Sequence, residues 1–229
     1  MQNENEKPAA AGGAISDGVN EFVQKHRKLI FASAGLILLA LIVFIAALSI
    51  ADVLRDKAIS AVEDFAGRYE TLRPSITEDY SAVDVEKLLG ELQAFARRNS
   101  GYAGGKAWSL MGSIYGETKD WPAAEAAWVS MANAAKKTYL VPLAFFNAAA
   151  AAEEQGKTEE AIAHYSASLT AAIDFSNAPR AQFAIGRLRE SQGDTAAAIE
   201  AYRAVISDWP YDRAWPSLAR SRIIALEAE

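Results

Sequence analysis

WSLMGSIYGETKDWPAAEAAW, residues 108–128, decides how the rest of the chain is read. Within it, Trp108-x-x-Met111-Gly112-x-x-Tyr115 is followed by Ala124-x-x-x-Trp128. A shift of 37 residues puts Ala149 in the place of Gly112, Ala161 in that of Ala124 and Tyr165 in that of Trp128. A second shift of 37 residues gives Gly186, Ala198 and Tyr202. The same interval relates Gly156 to Gly193 and Pro142 to Pro179, and Pro210 closes the third unit. Self-similarity at a fixed period means stacked supersecondary units, none of which buries its apolar face alone.

Each recurring residue has a packing reason. Small side chains at 112, 149 and 186 let the first helix of a unit approach the second, and those at 124, 161 and 198 do the same from the other side. The aromatic at 128, 165 or 202 fills the space between one hairpin and the next. Gly156 and Gly193 stand where a turn needs a positive φ. The pattern resembles the tetratricopeptide repeat (TPR), W-x2-L-G-x2-Y then A-x3-F then P, whose usual unit is about 34 residues. The first unit matches best; Gln182 stands in the Trp108 position, and Ala152 and Arg189 in that of Tyr115. The resemblance implies an all-α, right-handed α-solenoid over 74–229, with repeats over 105–141, 142–178 and 179–212. Val83–Arg98 and Arg213–Ala228 are expected to cap its two ends. Gly101–Gly105 (GYAGG) reads as a loop leading into the first hairpin.

Upstream, Leu29–Ile50 (LIFASAGLILLALIVFIAALSI) holds no charge and no proline over 22 residues. As a helix it spans about 33 Å, enough to cross a hydrocarbon core. Lys25, His26, Arg27 and Lys28 precede it, whereas Asp52, Arg55, Asp56 and Lys57 after it balance. That bias predicts a single-pass anchor in the cytoplasmic membrane, its N-terminus cytoplasmic and its C-terminal domain outside, in the periplasm of a Gram-negative cell. Ser49-Ile50-Ala51 offers a cleavage pattern, but the segment exceeds a signal h-region, so an uncleaved anchor is expected. Residues 1–16 read as a disordered cytoplasmic tail, 17–51 as the juxtamembrane and transmembrane helix, and 52–73 as an extended linker helix ended by Pro74. In that linker Leu54, Ala58, Ala61, Phe65, Tyr69 and Leu72 form a stripe. It suits either packing on the downstream domain or a homodimer seam through 52–72.

The formal net charge is −6, and the part before Asp52 is neutral, so the acidity lies in the C-terminal domain. Such a surface lacks the basic footprint that nucleic-acid binding needs. Without cysteine there is no disulfide, thiol catalysis or thiolate metal site. His26 and His164 are too far apart in kind and place to build a metal centre. No P-loop, G-x-G-x-x-G, H-E-x-x-H or G-x-S-x-G occurs. Glu153-Glu154 and Glu159-Glu160 read as a solvated turn face. The expectation is no enzyme, no cofactor and no metal.

Binding is the expected activity. Projecting the repeat register places Lys106, Ser109, Ser113, Phe146, Glu153, Arg180, Phe183, Arg187 and Glu190 on the concave face. Two aromatics among mixed charges suit an extended peptide or a partner helix. The carboxylate clamp of some TPR proteins has Lys and Asn where this chain has Ser109 and Ser113, so that function is not carried over. The layout of anchor, extended helix, polar break, a helix ending in Asn99-Ser100-Gly101-Tyr102-Ala103, then repeats is similar to the YfgM family, ancillary subunits of the SecYEG translocon. That resemblance implies a non-catalytic adaptor whose partners are translocon subunits and periplasmic chaperones. The alternative is a scaffold in another envelope complex, serving cell division or outer-membrane assembly.

Overall fold

The computed structural model describes residues 11–76, 82–136, 138–171 and 174–228; among them are nine α-helices and no strand. In order they are α1 (Ala11–Ile76), α2 (Ala82–Arg98), α3 (Gly101–Glu117), α4 (Trp121–Ala134), α5 (Leu140–Glu154), α6 (Thr158–Ala171), α7 (Ala178–Ser191), α8 (Thr195–Asp208) and α9 (Trp215–Glu227). The chain divides into two units, one ending at Leu54 and the other beginning at Arg55.

In the first unit, α1 starts at Ala11, ahead of the expected helix start at residue 17. Residues 1–10 of the expected tail, like the Thr77–Ser81 connection, lie outside the described residues. The apolar run is bare: Leu29, Phe31 and Ile37 are each at least 70% exposed. By length and composition, the helix over Glu21–Pro74 is the one among the described residues that can cross a membrane.

In the second unit α1 runs through Pro74 to Ile76. Proline's lost N–H and ring clash stop the helix within a turn rather than at once. Most of the linker stripe is covered. Ala58, Phe65, Tyr69 and Leu72 pack with Leu88, Leu92 and Ala96 of α2 and with Ala103, Leu110 and Ile114 of α3. Phe65 meets Phe95 edge-on at 5.5 Å. From Ala58 to Leu72 the stripe follows the first of the two expected readings, packing on the downstream domain, while Leu54 at its start stays 60% exposed.

Downstream, α3–α4, α5–α6 and α7–α8 are three antiparallel hairpins, and α9 packs on α8. Each helix packs chiefly on its neighbours in sequence, and four apolar clusters follow one another along the chain instead of one central core. Gly101–Gly105 is helical, which corrects the expected loop. A Cβ on Gly104 would sit 2.2 Å from the Asn99 carbonyl oxygen, and one on Gly105 would sit 2.7 Å from Ala135 Cβ. These glycines serve close packing, not bending.

The turns share one geometry. Lys119, Gly156 and Gly193, one per hairpin at the 37-residue period, have φ of 58°, 72° and 77°. The next residue's N–H bonds back five places, Asp120 to Tyr115 O, Lys157 to Ala152 O and Asp194 to Arg189 O, at 2.8–3.0 Å. That closes the first helix with a left-handed cap. Asp120 and Asp194 then cap the second helix, accepting from the N–H of Ala123 and Ala197 at 3.2 and 3.0 Å.

Candidate protein-interaction groove

The three hairpins turn the faces of α3, α5 and α7 toward two adjoining cavities, of about 680 and 350 Å³, which share Ala150 and Glu154. Small residues make the floor: Gly112, Ala151 and Ala184. Gly112 is obligatory there, since a Cβ would meet the Trp128 ring at 2.5 Å; Gly186 stands likewise at 2.6 Å from Tyr202. The indole of Trp128 thus lies flat against α3, and the larger cavity opens above it.

Lys106, Ser109 and Ser113 line the larger cavity together with Asn147. Glu153, Arg180, Phe183 and Arg187 line the smaller one. Phe146 lines neither. It is 6% exposed, packed against Tyr165 and Phe175 at 5.4 and 5.9 Å, with the Arg180 guanidinium 5.3 Å from its ring centre. The expectation of Phe146 as a contact residue is corrected: the alanines around it leave room that only a large ring fills. Phe183 is half-buried between Tyr202 and Trp215, at 5.1 and 5.3 Å. Glu190 also lies off both cavities, held by its neighbours.

Those holds recur. Glu153 of α5 accepts from Tyr165 of α6 at 2.6 Å and pairs with Arg187 of α7. Glu190 of α7 accepts from Tyr202 of α8 at 2.8 Å and pairs with Arg222 of α9. Glu117 of α3 accepts from Tyr69 and Arg73 of α1, both at 2.8 Å. The ties at Glu153 and Glu190 therefore each join one hairpin to the next layer, and the one at Glu117 joins α3 back to α1. Glu153, Arg187 and Glu190, read in the sequence as ligand contacts, are already engaged within the fold. Burial, then the bond to the glutamate, pushes the hydroxyls of Tyr69, Tyr165 and Tyr202 well above the ordinary phenol value, so they stay donors. Burial pushes the Glu190 carboxyl up, but Arg222 and Tyr202 outweigh it and hold it below the usual range.

Away from the groove a second set of contacts links the hairpins. Glu125 of α4 accepts from Gln155 at 2.7 Å and Lys157 at 3.1 Å, and His164 lies 3.2 Å away. Its burial is likewise outweighed by these partners, and the carboxyl titrates below its ordinary value. Gln192, one period after Gln155, reaches Glu159 at 2.7 Å. Sequence reasoning missed Tyr69, Arg73 and Glu117. Their signal was weak: Tyr69 sat inside an apolar stripe, and Glu117 stands one residue out of the register shared by Glu153 and Glu190.

A tetratricopeptide repeat family model matches residues 146–217. Over 223 residues the chain is 32% identical to a TPR repeat-containing protein of Treponema pallidum (strain Nichols), covering 91% of this chain and 92% of that relative. The chain belongs to the tetratricopeptide repeat proteins. The likeness to the Treponema pallidum TPR protein reaches beyond the repeats, because 91% of the chain is more than the hairpins and cap supply. Among solved structures, a kinesin light chain from Podosopora anserina with nearly identical TPR-like repeats superposes with a TM-score of 0.52 at 11% identity. That match covers 72% of this chain and 86% of that one, and it bears on the fold alone. TPR repeats are protein-interaction folds.

Proposed function

We propose that this TPR protein is a non-catalytic, membrane-anchored adaptor that takes up an extended segment of a partner protein along α3, α5 and α7. The joined cavities carry the reading: a small-residue floor is flanked by Lys106, Ser109, Ser113 and Asn147 as hydrogen-bonding groups, and by Arg180 and Phe183 further along. The small residues of the floor, beside the Trp121 and Trp128 rings, let a backbone approach closely, and spaced polar groups fix its register. Leu29–Ile50 is the proposed anchor, with the repeats on the outer face of the cytoplasmic membrane. By its resemblance to the YfgM family the adaptor works beside the Sec export channel and hands emerging chains to folding factors; a scaffold in a division or outer-membrane assembly complex is the second reading.

The test is site-specific photo-crosslinking of the full chain in its native membrane, with the probe at Ser113 or at Leu39. Adducts from Ser113 that contain translocon subunits or chaperones support the reading. Division or assembly proteins alone would move it to the second. Ser113→Arg, which fills the larger cavity, should reduce capture at least tenfold without loss of helicity. Unchanged capture, with adducts from Leu39 only, would place recognition in the anchor and end the groove reading.

A further inference from the structure

The three glutamate ties are not alike. Glu153 uses both carboxylate oxygens: Oε1 accepts from the Tyr165 hydroxyl and Oε2 from Arg187. Glu190 does the same, with Oε2 accepting from Tyr202 and Arg222 Nε, and Oε1 from a second nitrogen of Arg222. Glu117 crowds its donors onto one oxygen. Its Oε1 accepts from the Tyr69 hydroxyl and from Arg73 Nε, each at 2.8 Å, while Oε2 is sealed from solvent and meets no donor. It is the one side-chain atom in that condition among the described residues. A carboxylate oxygen shut away from water without a donor carries a penalty, which disappears when the oxygen reaches solvent.

That penalty sits at a wall of the groove. Tyr69, Glu70 and Arg73, on the last turns of α1, line the larger cavity together with Glu117. Glu70 and Arg73 are each more than half exposed, so the buried hold of this stretch passes through Tyr69. Pro74 follows directly, and it withholds the N–H that would bond the Glu70 carbonyl. Moving this wall off α3 breaks the Tyr69 and Arg73 bonds, but it also hydrates the sealed oxygen. The same movement at Glu153 or Glu190 breaks bonds with no such release. The Glu117 layer therefore opens with the least free energy of the three.

We infer that the last turns of α1, Arg68–Pro74, are a hinged wall of the groove, which swings off α3 to admit a partner segment to the larger cavity. The opening stands on the Glu117 geometry; its use in admitting a partner rests on the groove reading.

The chain holds no cysteine, so a single introduced thiol reports the opening. Ile114→Cys places it in the buried cluster that Tyr69 and Leu72 join, and Ser168→Cys places it, equally buried, in the middle hairpin. The test uses the full chain in detergent micelles and modification by dithionitrobenzoate, scaled to the rate of a free thiol. Ile114→Cys should react about tenfold faster than Ser168→Cys and with a shallower urea dependence, because a local opening exposes less surface than unfolding does. Equal rates with equal urea dependence would overturn the proposal. Tyr69→Phe with Glu117→Leu removes the crowded carboxylate together with its buried donor, returns Arg73 to water, and should slow the Ile114→Cys reaction about threefold. Tyr69→Phe alone leaves Glu117 with one donor fewer and should speed it about threefold. Capture through the Ser113 photo-probe should follow the opening, falling in the double variant and rising in the single one. Capture that falls in both means that the wall only touches the partner, and capture unchanged in both means that no opening is needed; either result ends the hinged wall while the groove reading stands. If Ser113→Arg leaves capture intact, the groove reading falls and takes admission with it, and the thiol rates alone decide the opening.

Discussion

Lys119 occupies a backbone position that the other two hairpins give to glycine. A side chain at positive φ costs about 1–2 kcal/mol, so Lys119→Gly should stabilise the protein by about 1 kcal/mol in urea unfolding followed by circular dichroism. The sequence exposed Gly156 and Gly193 as partners at one period but concealed their third member, because nothing in a lysine's identity announces a left-handed backbone. The glycines of the first helices behave oppositely. Gly112→Ala and Gly186→Ala drive a Cβ into the Trp128 or Tyr202 ring at 2.5 or 2.6 Å and should cost about 1–3 kcal/mol. Gly90→Ala, in α2 with nothing within 4 Å of the new Cβ, should instead stabilise by about 0.5–1 kcal/mol. Equal effects at Gly90 and Gly112 would sink the packing account of the repeat glycines.

At the scale of the element, the ends of the second helices are unequal. Asp120 and Asp194 cap α4 and α8, whereas Lys157 holds that place before α6 and pairs with Glu125 and Glu160 at 3.1 and 3.2 Å. Asp194→Ala should therefore cost about 1 kcal/mol, with fraying at the start of α8 visible as faster amide exchange over Thr195–Ala198. Helix existence was legible because apolar and small residues recur at helical spacing through every hairpin. The helical state of Gly101–Gly105 was not, since five residues with three glycines read as a loop until Asn99 and Ala135 are seen pressing on them. The candidate groove was half legible for a related reason. Register places a side chain on a face but does not say whether a neighbour already holds it. Lys106, Ser109 and Ser113 line the cavity as projected, Phe146 is absorbed by Phe175 from a connection the register ignores, and Glu190 is taken by Arg222 of the cap.

For the whole second unit, stability is a chain of neighbour terms, so damage at one layer should spread outward from it. The glutamates make this pH-dependent. Glu125 and Glu190 titrate below the ordinary carboxylate value of 4.5, so their contribution is complete above that value and is lost as pH falls through their lowered ones. Thermal melts should hold steady from pH 7 to about 5 and fall below about 4.5. Glu190→Gln should flatten that fall, and an unaltered acid profile in Glu190→Gln would count against the tie at Arg222.

The tyrosine–glutamate–arginine ties at Glu153 and Glu190 also bear on mechanics. Apolar contact resists separation of layers but lets them roll over one another. A carboxylate pinned by a phenol from its own hairpin and an arginine from the next layer resists rolling, because rotation pulls one bond as it compresses the other. Glu153 and Glu190 therefore act as torsion springs between successive layers, with a stiffness that is largely Coulombic. The arginines stand half in water, and the Debye length shortens from about 10 Å at 0.1 M salt to about 3 Å at 1 M. Raising the salt should soften those springs and broaden the distribution of groove widths while the helices stay intact, a change that paired spin labels on α5 and α9 would register as a wider spread of distances.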